Sequence, residues 1–464
     1  MGSENSFRKN TILLTMGTVI NKGLQFMIIP FFSRWLSTEE YGRFDLLYTY
    51  VSLLLPIITL SIDDAIFRNC VSSSDEVGKK KYITNAFAVN VFNLLIAVVV
   101  IMSLATDIKI QAAFCLYLMG EVLSQYLRGY LRGIKRLDIY SAAMVINTVI
   151  MIVVVTWLVY VRNSGIEGML IGYAVGTWGG NIIICLYSKW IRMISLLSLS
   201  LHTIKEMITY SIPLVPNALS WWVMNASDRQ IINWFFGDEA NGIYAIAHKV
   251  PALCSVIFNM FTISWQQEAA IKIKDENRND YFNKVLNEMY VVLAIICSDL
   301  FAGSFILYHY IFAEKYIDAQ LYSPIMIFAA VLMALSQFYG GIQIALRDSK
   351  KNGITTIVGA VVNVVVHLLL VRYIGLFAAA ISTLVGNFII LQMRKRMIKK
   401  IFVGQFDRNN IWLVAAMLYF FVMAYVNQHL VLNIINLMLA CCVTFISGKE
   451  IFKKTIEKRR GGKI

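Results

Sequence analysis

The chain has 464 residues, 58% of them hydrophobic and only 15% charged, and its mean hydropathy is +0.64. A soluble protein of this length could not bury so much apolar side chain, so the composition predicts a membrane protein. The net charge of +14 is expected to lie in loops on one side of the membrane, and nucleic acid is therefore not expected as a partner.

Apolar runs long enough to cross roughly 30 Å of hydrocarbon recur along the whole chain. The runs are continuous and do not alternate with polar residues, which excludes a membrane β-barrel. We predict an all-α polytopic membrane protein. Its fourteen transmembrane helices are expected, in chain order, at residues 10–33, 42–62, 82–105, 111–128, 139–161, 166–188, 208–234, 241–263, 285–308, 321–345, 354–371, 376–393, 411–427 and 430–447.

The distribution of basic residues sets the predicted orientation. With a cytoplasmic N-terminus, the inner loops and tails of this layout hold 33 of the 42 Lys and Arg residues, and the outer loops hold 7. The remaining two, Lys22 and Lys249, lie inside apolar runs. Cytoplasmic loops carry an excess of Lys and Arg, so both termini are predicted to be cytoplasmic.

Two segments resemble each other at an offset of 200 residues. Residues 35–45 and 235–245 both read as short acidic turns with a glycine, Gly42 or Gly242, followed by an aromatic residue. We predict two parallel six-helix repeats plus two extra C-terminal helices, an arrangement typical of transporters. The predicted domains are an N-lobe at 1–206 (helices 1–6), a C-lobe at 207–393 (helices 7–12), and a segment at 394–464 with helices 13 and 14 and a basic cytoplasmic tail.

Ionisable side chains inside membrane spans are costly, so they are expected to face a cavity or a partner. Lys22, Arg229 and Lys249 are cations in spans one, seven and eight, and we predict that they line a central cationic cavity. The alternative is that each of them forms a buried structural pair. Four carboxylates are expected either to bind a coupling ion, H⁺ or Na⁺, or to balance a nearby cation. They are Asp45, Glu121, Asp228 and Asp299.

Prolines and glycines suggest where the predicted helices bend and pack. Pro213 and Pro216 interrupt span seven and are candidate hinge residues, because proline frees backbone groups and allows a bend. In span six, Gly172, Gly176 and Gly180 follow one another at four-residue intervals, which favours close helix packing.

The sequence shows no motif for catalysis or for a cofactor. The seven cysteines form no Cys-x-x-Cys pattern, and no phosphate loop, metal cluster or nucleophile triad is present. No catalytic residue, metal site or cofactor is therefore expected. The connection at 188–207 is read as either an amphipathic interfacial linker or a solvated loop.

Three stretches carry a resemblance to a known family. Residues 30–42 resemble the first-loop signature of bacterial polysaccharide flippases, the Wzx-type O-antigen transporters. Residues 346–375 are similar to spans eleven and twelve of those proteins, with Asn363 at a shared position. The start of the second lobe is also similar, at Ser211-Ile212-Pro213, Asp228-Arg229, Gly237, Gly242-Ile243-Tyr244 and Lys249.

The resemblance implies membership of the multidrug/oligosaccharidyl-lipid/polysaccharide exporter (MOP) superfamily. Its flippases move undecaprenyl-diphosphate-linked oligosaccharides from the cytoplasmic to the outer leaflet of the bacterial inner membrane. A cationic cavity would then receive the diphosphate, with its charge supplied by Lys22, Arg229 and Lys249. Arg34 and Arg68, near opposite membrane faces, would attract head groups at exit and entry. The implied partners are the lipid-linked oligosaccharide, membrane lipids and other polysaccharide assembly proteins.

Two other functions stay open at the level of sequence. A cation-coupled exporter of drugs or metabolites is expected to have a net acidic cavity, whereas the deep charges here are mainly basic. A membrane glycosyltransferase or polysaccharide polymerase is expected to carry a large outer loop or a cluster of catalytic acids, and the outer loops here are short. We therefore expect a flippase that works by alternating access, and not an enzyme.

Overall fold

The computed structural model describes the backbone of residues 2–73, 75–103, 107–426 and 429–461. Side chains are described from residue 17 to residue 449, apart from 74, 104–106, 259, 260, 263, 349, 427 and 428. Within these residues the chain forms fifteen α-helices and no strand. In chain order they are α1 (Gly2–Trp35), α2 (Thr38–Thr59), α3 (Ile62–Ser72), α4 (Glu76–Ser103), α5 (Ile108–Gly133), α6 (Leu137–Val155), α7 (Gly165–Tyr187), α8 (Leu201–Ser211), α9 (Val215–Lys272), α10 (Arg278–Ile306), α11 (Ala319–Ala345), α12 (Ser349–Ile374), α13 (Phe377–Ile398), α14 (Ile411–Val426) and α15 (Leu430–Gly461).

The predicted all-α membrane architecture is confirmed. Each of the fourteen predicted spans overlaps a long helix or one arm of α9, which is kinked at Gly237. Among the described residues, ten helices are long and apolar enough to cross a membrane, or up to eleven if the bent pair α2 and α3 forms one span. The count of fourteen spans therefore stays a prediction.

The chain divides into two compact units, Met1–Ala226 (unit 1) and Ser227–Ile464 (unit 2). The division falls inside α9, after its first turns. The lobes predicted at 1–206, 207–393 and 394–464 were drawn from the sequence repeat, and they stay predictions.

The two predicted repeat turns each contain a helix break. The Ser37 hydroxyl accepts the Glu40 backbone N–H at 3.0 Å while the Ser37 N–H donates to the Glu40 carboxylate at 2.9 Å, a capping box that starts α2. The second break is at Gly237, whose φ of 80° favours glycine. Gly42 and Gly242 lie inside helices, so their predicted place in the turns is wrong.

One segment predicted as part of an inner loop is a helix. After a bend of 51°, α3 follows α2 and buries Ile62, Ile66 and Cys70 in the core of unit 1. These residues are spaced at i, i+4 and i+8, which places them on one helix face. That amphipathic spacing was present in the predicted loop at 63–81 and was overlooked, because the segment is too short and too polar to read as a span.

The linker at 188–207 is fixed to α4 by two buried side chains, Asn85 and Thr84, and the Thr84 hydroxyl accepts the Ser195 N–H at 3.0 Å. The Asn85 side chain donates to the Ser198 carbonyl oxygen at 2.8 Å and accepts the Ser200 N–H at 2.8 Å. Leu197 and Leu201 nevertheless point outward, with 100% and 85% of their surface exposed. A fixed backbone that exposes large leucines fits the interfacial reading better than the solvated loop.

The glycines of α7 bring that helix directly against α6. A Cβ atom at Gly172 would lie 2.3 Å from Val155 Cγ2, and one at Gly176 would lie 2.6 Å from Met151 Cβ. Real side chains do not approach so closely, so any larger residue would push the two helices apart. The predicted close packing at the span-six glycines is confirmed.

Unit 2 contains a buried arginine that joins three helices. Arg394 of α13 is 1% exposed, although the sequence interpretation placed it in an inner loop. Its guanidinium donates to the Ser336 carbonyl oxygen at 2.9 Å, and to the hydroxyls of Thr355 and Thr356 at 3.1 Å each. These bonds tie α13 to α11 and α12, so we assign Arg394 a structural role.

Candidate functional site

A cavity of about 230 Å³ lies among α1, α2, α5, α6 and α7 of unit 1. Of the 20 residues that line it, 12 have neutral hydrogen-bonding side chains, six are apolar, and Glu121 and Arg128 are ionisable. Polar groups buried without partners are costly, so a polar interior of this kind inside apolar helices marks a candidate functional site. The neutral polar residues are Asn21, Gln25, Tyr48, Tyr117, Ser124, Gln125, Tyr140, Asn147, Thr148, Tyr173, Thr177 and Asn181.

One face of each of the helices α5, α6 and α7 lines the cavity, and the lining residues have the same spacing on all three helices. Lining residues recur at i, i+4, i+7, i+8 and i+11, which keeps their side chains on one helix face. Sequence reasoning named only Glu121 of this set as a site residue, and a search for polar residues at this spacing would have found the others. The positions are 117, 121, 124, 125 and 128 on α5, then 140, 144, 147, 148 and 151 on α6, and 173, 177, 180, 181 and 184 on α7.

Glu121 is held at the cavity wall by α7. The Thr177 hydroxyl donates to Glu121 Oε1 at 2.9 Å, and among the described residues no donor reaches Oε2. One turn further along α5, the Ser124 hydroxyl donates to Asn181 Oδ1 at 2.7 Å. The Asn181 amide in turn donates to the Gly120 carbonyl oxygen at 2.8 Å. The carboxylate is therefore held in place but keeps one oxygen for a ligand or a proton.

Three tyrosines from three helices form an aromatic cluster in the same wall. The rings of Tyr48 and Tyr117 are nearly parallel, with centroids 6.3 Å apart. Tyr173 stands edge-on to both, at centroid distances of 5.9 and 5.7 Å. These are favoured geometries for aromatic pairs. The cluster gives the cavity both apolar ring surface and phenolic hydroxyls.

A second cavity of about 370 Å³ shares part of its wall with the first, including Gln125 and Arg128. The Arg128 guanidinium lies 3.6 Å from the buried Asp63 carboxylate, which also accepts the Gln125 amide at 3.1 Å. Beside this pair, Arg132 binds Asp64 at 3.1 Å. The sequence interpretation counted both arginines as inner-loop cations and missed this cluster, whose charges balance in pairs.

In unit 2, Asp228 is the centre of a buried hydrogen-bond network. It accepts the Tyr244 hydroxyl at 3.0 Å and the Thr383 hydroxyl at 2.9 Å, and its Oδ1 lies 3.0 Å from His367 Nδ1. The Asn363 amide donates to Thr383 at 3.1 Å. His367 is fully buried, and its Nε2 has no hydrogen-bond partner among the described residues. The network joins α9, α12 and α13 around one acid–imidazole pair.

The three cations predicted to line one cavity belong to different units. Lys22 of unit 1 is exposed, and its Nζ donates to Oε1 of the cavity residue Gln25 at 3.3 Å. In unit 2, Arg229 is buried beside Asp228, and Lys249 is half-buried. A single cavity formed by all three cations stays a prediction.

The other predicted site residues of unit 1 lie outside the 230 Å³ cavity. Arg34 is exposed in the last turn of α1, and Asp45 is buried within α2. The Arg68 guanidinium lies over the Tyr210 ring, 4.3 Å from its centroid. The proposed roles of the two arginines in attracting head groups stay predictions.

Asp299 lies in α10 and has one hydrogen-bond partner among the described residues, and the predicted hinge prolines lie where α8 meets α9. Asp299 accepts the Thr444 hydroxyl at 3.0 and 2.9 Å and is half-buried. Pro213 lies in a single 3₁₀ turn between α8 and α9, and Pro216 is the second residue of α9. Short 3₁₀ turns often mark hinges, and movement at this turn stays a prediction.

Comparison with known proteins identifies the fold and the family. Residues 7–266 match the family described as "Polysaccharide biosynthesis protein". No curated protein sequence matches the chain significantly. The solved structure of the lipid II flippase MurJ, in an inward closed conformation, has a TM-score of 0.69 at 13% identity, over 96% of this chain and 99% of that one.

Multidrug transporters have similar folds. An inward-facing MATE family transporter of the MOP superfamily has a TM-score of 0.67 at 13% identity, over 84% of this chain and 98% of that one. The Vibrio cholerae MATE transporter VcmN has a TM-score of 0.60 at 12% identity, over 85% of this chain and 97% of that one. Likeness at these identities establishes the fold, and the match to residues 7–266 covers more than half of the chain. The chain is therefore a multi-pass membrane protein that belongs to the polysaccharide biosynthesis protein family and has the fold of the MOP superfamily.

Proposed function

We propose that the protein is a flippase for an undecaprenyl-diphosphate-linked oligosaccharide, the repeat unit of an O-antigen, capsule or exopolysaccharide. It moves this lipid from the cytoplasmic to the outer leaflet of the bacterial inner membrane, with both termini cytoplasmic. The observation that carries the proposal is the family match over residues 7–266, together with a fold shared with a lipid II flippase. The polar cavity inside unit 1 supports it, because a sugar head group needs hydrogen bonds within the membrane.

The same fold is compatible with a cation-coupled exporter of drugs or metabolites, since MATE transporters share it. Charge favours the flippase. The lining of the unit 1 cavity has a single carboxylate, Glu121, beside one guanidinium, Arg128, and so lacks the cluster of acidic groups expected for an organic cation. A membrane glycosyltransferase or polymerase is a third possibility, which the resemblance to transport proteins disfavours.

The Asp228 network supports proton coupling in unit 2. A buried carboxylate beside an imidazole changes charge when a single proton binds or leaves. The two hydroxyl donors, from Tyr244 and Thr383, hold the carboxylate in place. Proton release to one side of the membrane would then favour one conformation of the transporter over the other.

A strain that lacks the gene separates the three functions. Loss of a flippase should remove surface glycan and leave complete lipid-linked repeat units in the cytoplasmic leaflet. Loss of a glycosyltransferase should instead leave incomplete repeat units, and loss of a polymerase should leave single repeat units in the outer leaflet. Normal surface glycan combined with a gain in drug sensitivity would contradict the proposal and favour the exporter.

A further inference from the structure

We propose that the 230 Å³ cavity of unit 1 is a binding site for one uncharged sugar ring of the transported head group. The inference rests on the proposed function and deepens it by assigning a sugar-recognition site within a single unit. The cationic cavity predicted from the sequence would hold the diphosphate, whereas this site would hold hydroxyl groups. Its evidence is the chemistry of the lining, its charge balance and its unused hydrogen-bonding groups.

The lining suits a polyhydroxylated ligand. Pockets for apolar drug-like molecules are lined mainly by hydrophobic side chains with a few polar groups. Here the proportion is reversed, since 12 of 20 lining residues are neutral hydrogen-bonding residues and six are apolar. A sugar ring carries several hydroxyl groups, each both donor and acceptor, and requires this density of amides and hydroxyls to replace its water.

The charge of the cavity does not suit a diphosphate. A diphosphate needs a net positive site. The lining contains one carboxylate, Glu121, and one guanidinium, Arg128, and the guanidinium is also paired with Asp63, so no surplus positive charge is left. Carboxylates accept hydrogen bonds from sugar hydroxyls, so Glu121 favours an uncharged sugar over an acidic one.

Helices α5, α6 and α7 each place at the cavity at least one hydrogen-bonding group that has no partner among the described residues. Among the described residues, the hydroxyls of Tyr117 and Tyr173 and the side-chain amide of Asn147 make no hydrogen bond, although all three residues line the cavity. Glu121 adds its free Oε2. These groups come from α5, α6 and α7, so a ligand that reaches all of them is surrounded on three sides.

The size of the cavity limits the ligand to about one ring. A volume of about 230 Å³ is below the roughly 300–1,000 Å³ of sites that enclose drug-sized molecules. The cavity therefore has room for about one sugar residue. The nearly parallel rings of Tyr48 and Tyr117 supply apolar surface against which the C–H face of a sugar can pack.

The test compares the binding of two lipids to the full-length protein in nanodiscs. The probes are the lipid-linked repeat unit extracted from the producing strain and undecaprenyl diphosphate without sugar. The variant is Tyr117→Phe/Tyr173→Phe, which removes two hydroxyls and keeps both rings. We expect it to bind the sugar-carrying lipid about tenfold more weakly and the bare lipid as tightly as the wild type, since each lost hydrogen bond has a modest effect.

The control is Tyr187→Phe, which lies on the same helix α7, is 72% exposed and does not line the cavity. It should bind both lipids normally. Unchanged binding of the sugar-carrying lipid by the double variant, or an equal loss for both lipids, would overturn the inference. If the double variant does not fold, Tyr173→Phe alone provides the same comparison, with a smaller expected loss of about threefold.

A competition experiment with free oligosaccharide tests whether the protein recognises the sugar apart from the lipid. Oligosaccharide released from the lipid by mild acid should compete weakly with the lipid-linked form on the wild type, and less on the double variant. Competition that is equal on both proteins would contradict a sugar site at the tyrosines. Failure of the wild type to move the lipid-linked repeat unit across a bilayer would refute the proposed function instead, so the two failures are distinguishable.

Discussion

Removing the Asp228 carboxylate should destabilise unit 2 strongly. The carboxylate accepts two hydroxyl donors at 2.9 and 3.0 Å and faces His367 Nδ1 at 3.0 Å, and its partners are buried except for the half-buried Thr383. Asp228→Ala leaves these groups without an acceptor, and each such group costs about 1–3 kcal/mol. With two hydroxyls and one imidazole affected, we expect a loss of at least about 3 kcal/mol.

The assay is denaturant unfolding of the purified protein in detergent, with Asp299→Ala as a matched control in the same unit. Asp299 is half-buried and accepts only the Thr444 hydroxyl among the described residues, so its removal should cost about 1 kcal/mol. The isosteric Asp228→Asn variant should stay folded but lose transport, since it cannot exchange a proton. An Asp228→Ala protein as stable as the control would refute this reading of the network.

Four further variants test other parts of the account. At Gly176 even a Cβ atom would lie 2.6 Å from Met151 Cβ, so the larger side chain of Gly176→Leu cannot fit without moving the helices apart. The thermal unfolding midpoint should therefore fall by several degrees, and an unchanged midpoint would contradict the close packing. Asn85→Leu should loosen the 188–207 linker around Ser198 and Ser200 and speed its proteolysis there, whereas equal cleavage rates would show that the amide does not hold it. Lys22→Ala and Lys249→Ala should each abolish surface glycan at normal protein levels, and normal glycan in both would contradict the cationic cavity.

The membrane helices could be predicted because long apolar runs are a strong and local signal. The same reasoning missed α3, because an eleven-residue amphipathic helix has few apolar residues and lies beside charged ones. It also misplaced the repeat turns at Gly42 and Gly242. The real first break is marked by the capping box of Ser37 and Glu40, a signal that was present in the sequence.

The candidate site was only partly predictable. A charged residue in an apolar run is conspicuous, and Glu121 and Asp228 were therefore named. Their partners are neutral or distant in the chain: Tyr117 and Asn147 are unremarkable one at a time, and His367 lies 139 residues from Asp228. Which polar faces meet depends on how the helices pack, and a single sequence does not contain that information directly.

The most direct test of the central claim is translocation by the purified protein in proteoliposomes. The substrate is a fluorescent lipid-linked repeat unit placed in both leaflets, and an added quencher reports the fraction that reaches the accessible outer surface. We predict that quenching exceeds that of protein-free vesicles, becomes faster with an imposed proton gradient, and is lost in Asp228→Asn. Quenching equal to that of protein-free vesicles, under either gradient direction, would contradict the assignment as a lipid-linked oligosaccharide flippase.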